Sequence, residues 1–514
     1  MTIPTGHLLQ RQIASIDPIP LLVYLLSSVL HLCSSLSWDH SAFLLTSLQL
    51  LLSLALPHAV ASTHAPPQQA IINSIPADIR SVLSQLDLET KTTSFVCCPR
   101  CCQLYDVGPD PNNPSFPARC TFKLTEDSSP CNRSLRKEDS RRQRVIPTRK
   151  FYYQSFSHYL GRMYARNGFE EMLDRNPYSD DPTNMLDIWD GKVLRNFRKD
   201  GNLFVPNGKQ TGKDGRLVFG INEDGMNPYH NRAAGKNVSV GPIYMVCMNL
   251  PRSIRFKMEN IYIAGIIPGP SSPRKHQINH LLRPLIDHLL LAWDNGLVIP
   301  TPSAPSGRTV FCALIPVIAD LPAARHLGGL SSYTSDKWCS ECELPRTDCN
   351  CLDFRDLTKW IPRSLQRHRD YAQTWRDAAT EDEQNAIYKR YGVRWSELLR
   401  LPYWDPTQYI TIDSMHAFYL GLFQRHVRTI WGMDVRHEDA TDMPAPLHTP
   451  SAADIQSAQN TFRSGSLFAL SSLPVDVLRY LCFSHNLRYS GNMKKLADRL
   501  HSYVGSINSF LIVT

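Results

Sequence analysis

The chain has 514 residues, 42% hydrophobic and 20% charged, with a formal net charge of +8 and a pI near 8.8. That balance excludes wholesale disorder, allows roughly two to four domains with a sizeable core, and leans mildly toward a polyanionic partner. Ten of the fourteen cysteines stand in two clusters, which excludes an evenly spread disulfide framework and points to metal.

Leu21 to Trp38 and Ala42 to Pro57 are nearly uncharged, and the first reaches the length of a membrane helix. Ser27, Ser28, His31, Ser34, Ser35 and Ser37 dilute it, the Asp39-His40 break leaves almost no loop, and neither flank carries a strong basic cluster. Asp17 and Pro18 stand where a signal peptide needs a basic region. Residues 1–60 are therefore expected to form a hydrophobic helical hairpin with no membrane partner. Residues 61–94 follow as a Pro- and Ala-rich linker with a short helix.

Residues 95–150 form a cysteine-rich module and a basic linker. Cys98-Pro-Arg-Cys101 is flanked by Cys97 and Cys102 and followed by Cys120 and Cys131. Cys98, Cys101, Cys120 and Cys131 best match a tetrahedral Zn2+ site with four thiolates, the alternative being unrelated free thiols. The run from Arg133 to Lys150 includes Arg136, Lys137, Arg141, Arg142 and Arg144. It would neutralise several DNA phosphates or serve nuclear import, and a solvated linker has the same composition.

Phe151 to Leu173 is read as an amphipathic helix through Phe156, Leu160, Met163, Tyr164 and Phe169. Asp187 and Asp190 are assigned to capping or salt bridging, because no buried strand precedes them. Three strand-like runs follow, one ending at Asp224, then Val238 to Cys247, then Asn260 to Ile267. A helix from Gln277 to Gly296 carries leucines at helical spacing, and a fourth strand-like run ends at Asp320. Strand, strand, strand, helix, strand is the order of an RNase H-like core, in which the first and fourth strands are neighbours. That would bring Asp224 and Asp320 together to hold Mg2+ or Mn2+, although Asp-Gly and Asp-Leu-Pro would serve equally as turns.

Beyond Asp320 lies Cys339-Ser-Glu-Cys342, with Cys349 and Cys351 close behind. Leu365 to Ala378, Glu381 to Tyr391, Trp395 to Leu401 and Asp413 to Trp431 read as helices of an insertion within the core, assigned to residues 331–440. Residues 465–505 suggest a helical pair that looks like a SAP-type DNA-binding motif, with Lys494, Lys495 and Arg499 toward phosphate, a pattern that two packed surface helices would share.

The segments Gly220-Ile-Asn-Glu-Asp-Gly-Met-Asn-Pro-Tyr-His-Asn, Ile266-Ile-Pro-Gly-Pro, Leu282-Arg-Pro-Leu-Ile-Asp, Ala319-Asp-Leu-Pro-Ala and Asp413-Ser-Met-His closely resemble CACTA (En/Spm)-type transposases of plants and fungi. The resemblance implies an α/β (α+β) fold with an RNase H-like nuclease core over residues 151–330, an α-helical insertion, a preceding helical hairpin and a zinc module. It implies DDE chemistry with Asp224 and Asp320 as the first two carboxylates, double-stranded DNA (terminal repeats and target) as partner, self-association, and a nuclear location. It makes Cys339, Cys342 and His416 ligands of a second Zn2+, with Asp413, His426 or Cys351 as the fourth. The family's third carboxylate is normally a Glu on a late helix, yet beyond His416 the only glutamate is Glu438, in a polar stretch. The chain is accordingly expected to be a truncated copy lacking that region, with a transposase-derived zinc- and DNA-binding protein without catalysis as the alternative.

Overall fold

β-Branched runs bounded by Gly and Pro become the strands of one nine-stranded mixed sheet. The computed structural model describes residues 15–55, 68–108, 115–139, 144–210 except 180, 182 and 183, 214–227, 239–348, 358, 360–431, 433, 450–485 except 465, and 487–511 except 488 and 490. Two compact units emerge, Met1–Tyr419 and Leu420–Thr514.

In the first unit the strands are β1 (Thr92–Cys97), β2 (Leu104–Asp106), β5 (Lys150–Gln154), β6 (Gly215–Glu223), β7 (Gly241–Cys247), β8 (Ile261–Ile267), β9 (Leu297–Ile299), β10 (Arg308–Ala319) and β11 (Ile410–Ile412). A separate antiparallel ribbon is made by β3 (Arg136–Asp139) and β4 (Arg144–Pro147). The large sheet runs β9-β10-β6-β7-β8-β5-β1-β2, with β11 on the same side of β10 as β9. β6, β7 and β8 are antiparallel neighbours, whereas β10 is parallel to both β6 and β11.

The expected side-by-side placement of the first and fourth strand-like runs is therefore observed as β6 against β10. Leu217, Val218, Phe219 and Ile221 of β6 and Val310, Cys312 and Leu314 of β10 are all buried, the near-continuous apolar signature of strands covered on both faces. Pro316 cannot donate to a ladder. The register shifts across it, between Leu314 and Val317, and the Val317 amide instead donates to Tyr409 O at 2.7 Å, opening the approach of β11. Gly220 lets β6 pass this point, because a Cβ there would lie 2.4 Å from Met248 Cε and 3.2 Å from Pro316 Cγ.

Helix α7 (Ile278–Asp294) packs Leu281, Leu282, Leu285, Ile286 and Leu289 against β10. A short helix, α8 (Leu321–Gly328), follows β10 directly. Two further helices, α9 (Leu365–Asp377) and α10 (Glu381–Tyr391), occupy the expected insertion. A buried network ties β10 to the preceding helices: Arg308 donates to both oxygens of Asp174 at 2.8 Å and to Glu170 at 3.1 Å. Asp187 and Asp190 do cap and salt-bridge, as expected. They form a capping box, Asp187 pairs with Arg255 at 2.8 Å and Asp190 with Arg195 at 3.1 Å.

Three expectations for local structure are corrected. Phe151 to Leu173 is not one helix: Lys150–Gln154 is strand β5, with alternating exposed and buried residues, and helices α5 (Phe156–Tyr164) and α6 (Phe169–Leu173) follow. The alternation of Phe151 and Tyr153 inward is a strand period that outweighs the helical spacing C-terminal to it. Trp395 to Leu401 holds only a 3-10 turn, Glu397–Arg400. Asp413 to Trp431 is preceded by strand β11 and wound as π-helix over Met415–Phe423 and His426–Ile430.

At the N-terminus, helices α1 (Pro18–Cys33) and α2 (Trp38–Ala55) pack with α4 (Ile79–Gln85), and α3 (Gln68–Asn73) adjoins them. Their shared core includes Val23, Tyr24, Leu45, Ile79, Val82 and Leu86. Among the described residues no helix is long and apolar enough to cross a membrane. The second unit comprises helices α11 (Ala452–Ser464), α12 (Leu467–Ser471), α13 (Val475–Ser484) and α14 (Met493–Leu511). Its core is built on Ala458, Leu470, Leu478, Leu481, Leu496 and Leu500.

Candidate functional site

Two places in the first unit gather residues with metal chemistry, and they are built differently. In the cysteine module, Cys97 ends β1 and the chain turns tightly through Cys98 to Cys102, with the Cys102 amide donating to Cys98 O at 3.0 Å. A second turn carries Cys120, whose amide donates to Arg133 O at 2.8 Å. These turns bring Cys98 Sγ to 3.8 Å from Cys131 Sγ and Cys101 Sγ to 3.5 Å from Cys120 Sγ. All four sulfurs lie within 4.8 Å of one another, an arrangement that could hold a metal ion such as Zn2+. The hydrogen bond with Cys101 holds the Cys98 thiol down to about 5 and, with burial, pushes Cys101 up. Cys97 and Cys102 are turned elsewhere: Arg149 Nη2 donates to them at 3.2 and 3.3 Å.

The second place is the end of the parallel strand trio. β6 ends at Glu223, β10 at Ala319 and β11 at Ile412. Each strand is followed at once by an aspartate, Asp224, Asp320 and Asp413. Pairing of Ile221 with Val317 and of Ala319 with Ile412 sets these three aspartates level along one edge. Glu223, Asp224 and Asp320 line an open cleft of ≈ 470 Å3 together with His326, Ser332, Tyr333, Tyr388 and others.

Asp320 caps α8, its Oδ1 accepting from the Ala323 amide at 2.8 Å. The turn reading of this residue and the ligand reading are thus compatible. Burial, and next the charge of Asp320, raise Asp224 from its ordinary value. His326 on α8 reaches Glu223 at 3.8 Å. The loop after α8 is fixed by buried guanidinium groups: Arg325 donates to Ser331 O at 2.9 Å and Arg394 to Leu330 O at 3.0 Å. Gly329 at φ 72° makes that turn, where a Cβ would lie 2.4 Å from Arg394 O.

Residues 194–386 match the family model described as Transposase family tnp2. The tnp2 match covers β6 to α10 and so includes Asp224, Asp320, Cys339 and Cys342, while Asp413 and His416 lie beyond it. No curated protein matches the chain.

The other sequence-derived site residues fall as follows. His416 Nδ1 donates to Asp413 Oδ2 at 2.6 Å, and its charge is felt by Asp224. Cys339 Sγ accepts from the Cys342 amide at 3.4 Å. Among the described residues no third ligand, His416 included, gathers with Cys339 and Cys342; Cys349 and Cys351 lie outside the described residues, as does Glu438. On the basic ribbon, Arg136 donates to Phe116 O and lies over the Phe116 ring at 5.2 Å, while Lys137 is exposed. Arg144 begins β4, and Arg141 and Arg142 lie outside the described residues. Lys494 and Lys495 are exposed on the first turn of α14, with Arg499 one turn further on.

The feature that the sequence reading missed is β11 with Asp413 at its end. Its only signal is Ile410-Thr-Ile412, too short for a period-2 pattern to register.

Proposed function

We propose that the chain is a DDE-type DNA transposase of the CACTA (En/Spm) type, acting on double-stranded DNA at transposon ends and target. The tnp2 match supports the transposase class. The observation that carries the chemistry is the parallel pairing of β6 with β10, which sets Asp224 beside Asp320 at the mouth of one cleft.

The donors suit the ion. Asp224 and Asp320 offer hard carboxylate oxygens, fitting Mg2+ or Mn2+, and their mutual repulsion is a strain that a cation relieves. Bound there, divalent ions supply Lewis acidity at phosphorus and a more acidic attacking hydroxyl. The chain's own part is positional. Asp320, fixed through the α8 amide, and Asp224, at the end of the β6 ladder, would hold the divalent ion beside a phosphodiester attacked by water or a 3′ hydroxyl, with the 3′ oxygen as leaving group. The four-cysteine module would hold a structural Zn2+ beside the same sheet.

DNA contacts through Lys137 and through Lys494 and Lys495, self-association and a nuclear location belong to the same proposal. Its test is nicking of transposon-end duplex by the full chain with Mg2+. Strand cleavage lost in Asp224→Asn and Asp320→Asn, with duplex binding kept, supports the reading. Binding without cleavage by the wild type overturns the enzymatic reading in favour of a transposase-derived binding protein.

A further inference from the structure

We propose that the cavity between α7 and the β5-β1-β2 edge of the sheet is a binding site for a planar nitrogen heteroaromatic ring of the nucleobase type. The site shares no lining residue with the acidic cleft and does not rest on the reading of that cleft.

Three observations carry it. First, α7 is polar on a face that looks onto a sheet. Its leucine face packs on β10, but His280, Arg283, Pro284, Asp287 and His288, at helical spacing, form a second face along the cavity. Opposite stand Thr93 and Phe95 of β1, paired with Tyr153 of β5 and Asp106 of β2 respectively, and therefore on one side of the sheet. A space of ≈ 560 Å3 is left between helix and sheet, within the range of small-molecule sites.

Second, the walls are aromatic. Phe95, Tyr105, Tyr153, His280 and His288 line the space. Tyr153 and His288 are preset, with rings stacked 5.4 Å apart and Tyr153 Oη 2.9 Å from His288 Nδ1. Such faces hold a base by stacking. Third, His280 is 7% exposed, and its Nε2 has no hydrogen-bond partner among the described residues. A polar atom so buried costs free energy unless something bonds to it. Burial, and next the charges of His276 and Arg283, hold His280 down to about 3, so the ring is neutral and has one donor and one acceptor nitrogen. The edge of a nucleobase carries both kinds of group.

The rim argues against a phosphate. Arg283 lies 3.8 Å from Glu397, Asp287 pairs with Arg400 at 2.7 Å, and Asp106 is exposed. That balance of charge gives a polyanion no attraction at the mouth. The ring comes from a free nucleoside or from a base turned out of DNA, and both would make the same contacts.

The test uses the full, zinc-loaded chain without added Mg2+, so that its outcome is independent of the cleft. The probes are 2-aminopurine 2′-deoxyriboside and a DNA duplex ending in one unpaired 2-aminopurine nucleotide, each followed by fluorescence quenching on stacking. Quenching of the free probe assigns the site to nucleosides, quenching of the duplex probe to a base turned out of DNA, and quenching of neither overturns the proposal. His280→Leu removes the unpartnered nitrogen but keeps an apolar wall, an exchange that a fold tolerates. It should weaken binding at least about tenfold. Unchanged affinity in that variant overturns the proposal. Displacement by N-acetyltryptophanamide as readily as by adenosine overturns it too, and makes the site one for an aromatic peptide side chain. A second measurement needs no variant: 5-iododeoxyuridine, free or at the unpaired end of the duplex, is cross-linked to the wild type by light and the adducts are located by mass spectrometry. Adducts within residues 93–106 or 280–288 support the assignment, and adducts only elsewhere overturn it.

Discussion

The cysteine module and the acidic cleft share one sheet but hold their ligands in opposite ways. In the module four thiols are already packed within 4.8 Å of one another, on turns that share a small apolar cluster with Val96, Phe116 and Leu135. In the cleft the carboxylates stand in register at strand ends without being so gathered, on top of a large buried core. The first arrangement would make an ion part of the fold, as in closed structural zinc sites, whereas the second leaves the fold to the sheet and, on the proposed function, would keep positions open for substrate.

The sharpest way to break this comparison is Cys101→Ser. Structural zinc contributes on the order of 10 kcal/mol to small metal modules, so zinc content by mass spectrometry should fall and residues 95–147 should become protease-sensitive, with β6 to β10 intact. An equal loss of the β6 to β10 core would mean that the two regions are not separately supported. Next, Asp174→Ala should destabilise the cleft's sheet by about 3–5 kcal/mol, because it leaves the buried Arg308 short of its main partner. Denaturant titration should show this loss with zinc content unchanged.

Gly220→Ala is a finer probe. The added methyl meets Met248 and Pro316, and overpacking of that kind costs about 1–3 kcal/mol. Thermal unfolding should show the loss, and duplex nicking should fall with it because the bulge that admits β11 shifts.

The smallest effect is a pH dependence at Asp413 and His416. The hydrogen bond to Asp413 raises His416, so that contribution is complete below the unfolded histidine value of about 6.5 and is lost as pH rises through the raised folded value. Burial pushes Asp413 up, but the His416 hydrogen bond and the Met415 amide hold it below the usual range. Its contribution is complete above the unfolded aspartate value of about 3.9 and is lost as pH falls through the lowered one. The pair is therefore strongest between roughly pH 4 and 6.5. His416 is 38% exposed at its side chain, so solvent screening limits the gain to a few tenths of a kcal/mol, up to about 1. Melting of wild type and His416→Gln across pH should diverge most in that window, and parallel curves would remove the pair from the account.

Much of this was legible in the sequence. The long apolar runs ending at Asp224 and Asp320 showed β6 and β10 because strands buried on both faces need continuous hydrophobic sequence, and the leucine spacing showed α7. The Cys98-x-x-Cys101 knuckle and its two later partners also emerged, since thiol spacing is dictated by the turn that an ion requires. What sequence did not carry was long-range pairing. β11 has three residues and follows β10 only after the whole helical insertion, and β5 joins the sheet through a pattern masked by the helix after it. Likewise, no spacing rule could tell that His416 bonds to Asp413.

Asp320 spends one oxygen on the first turn of α8, through the Ala323 amide. An ion that draws on the same carboxylate must therefore share it with that amide, so cleft occupancy and the opening of this turn are linked. The consequence is a built-in reporter: the hydrogen–deuterium exchange rate at Ala323 should change when the cleft is loaded, giving a readout of occupancy from the backbone itself, without DNA, label or turnover.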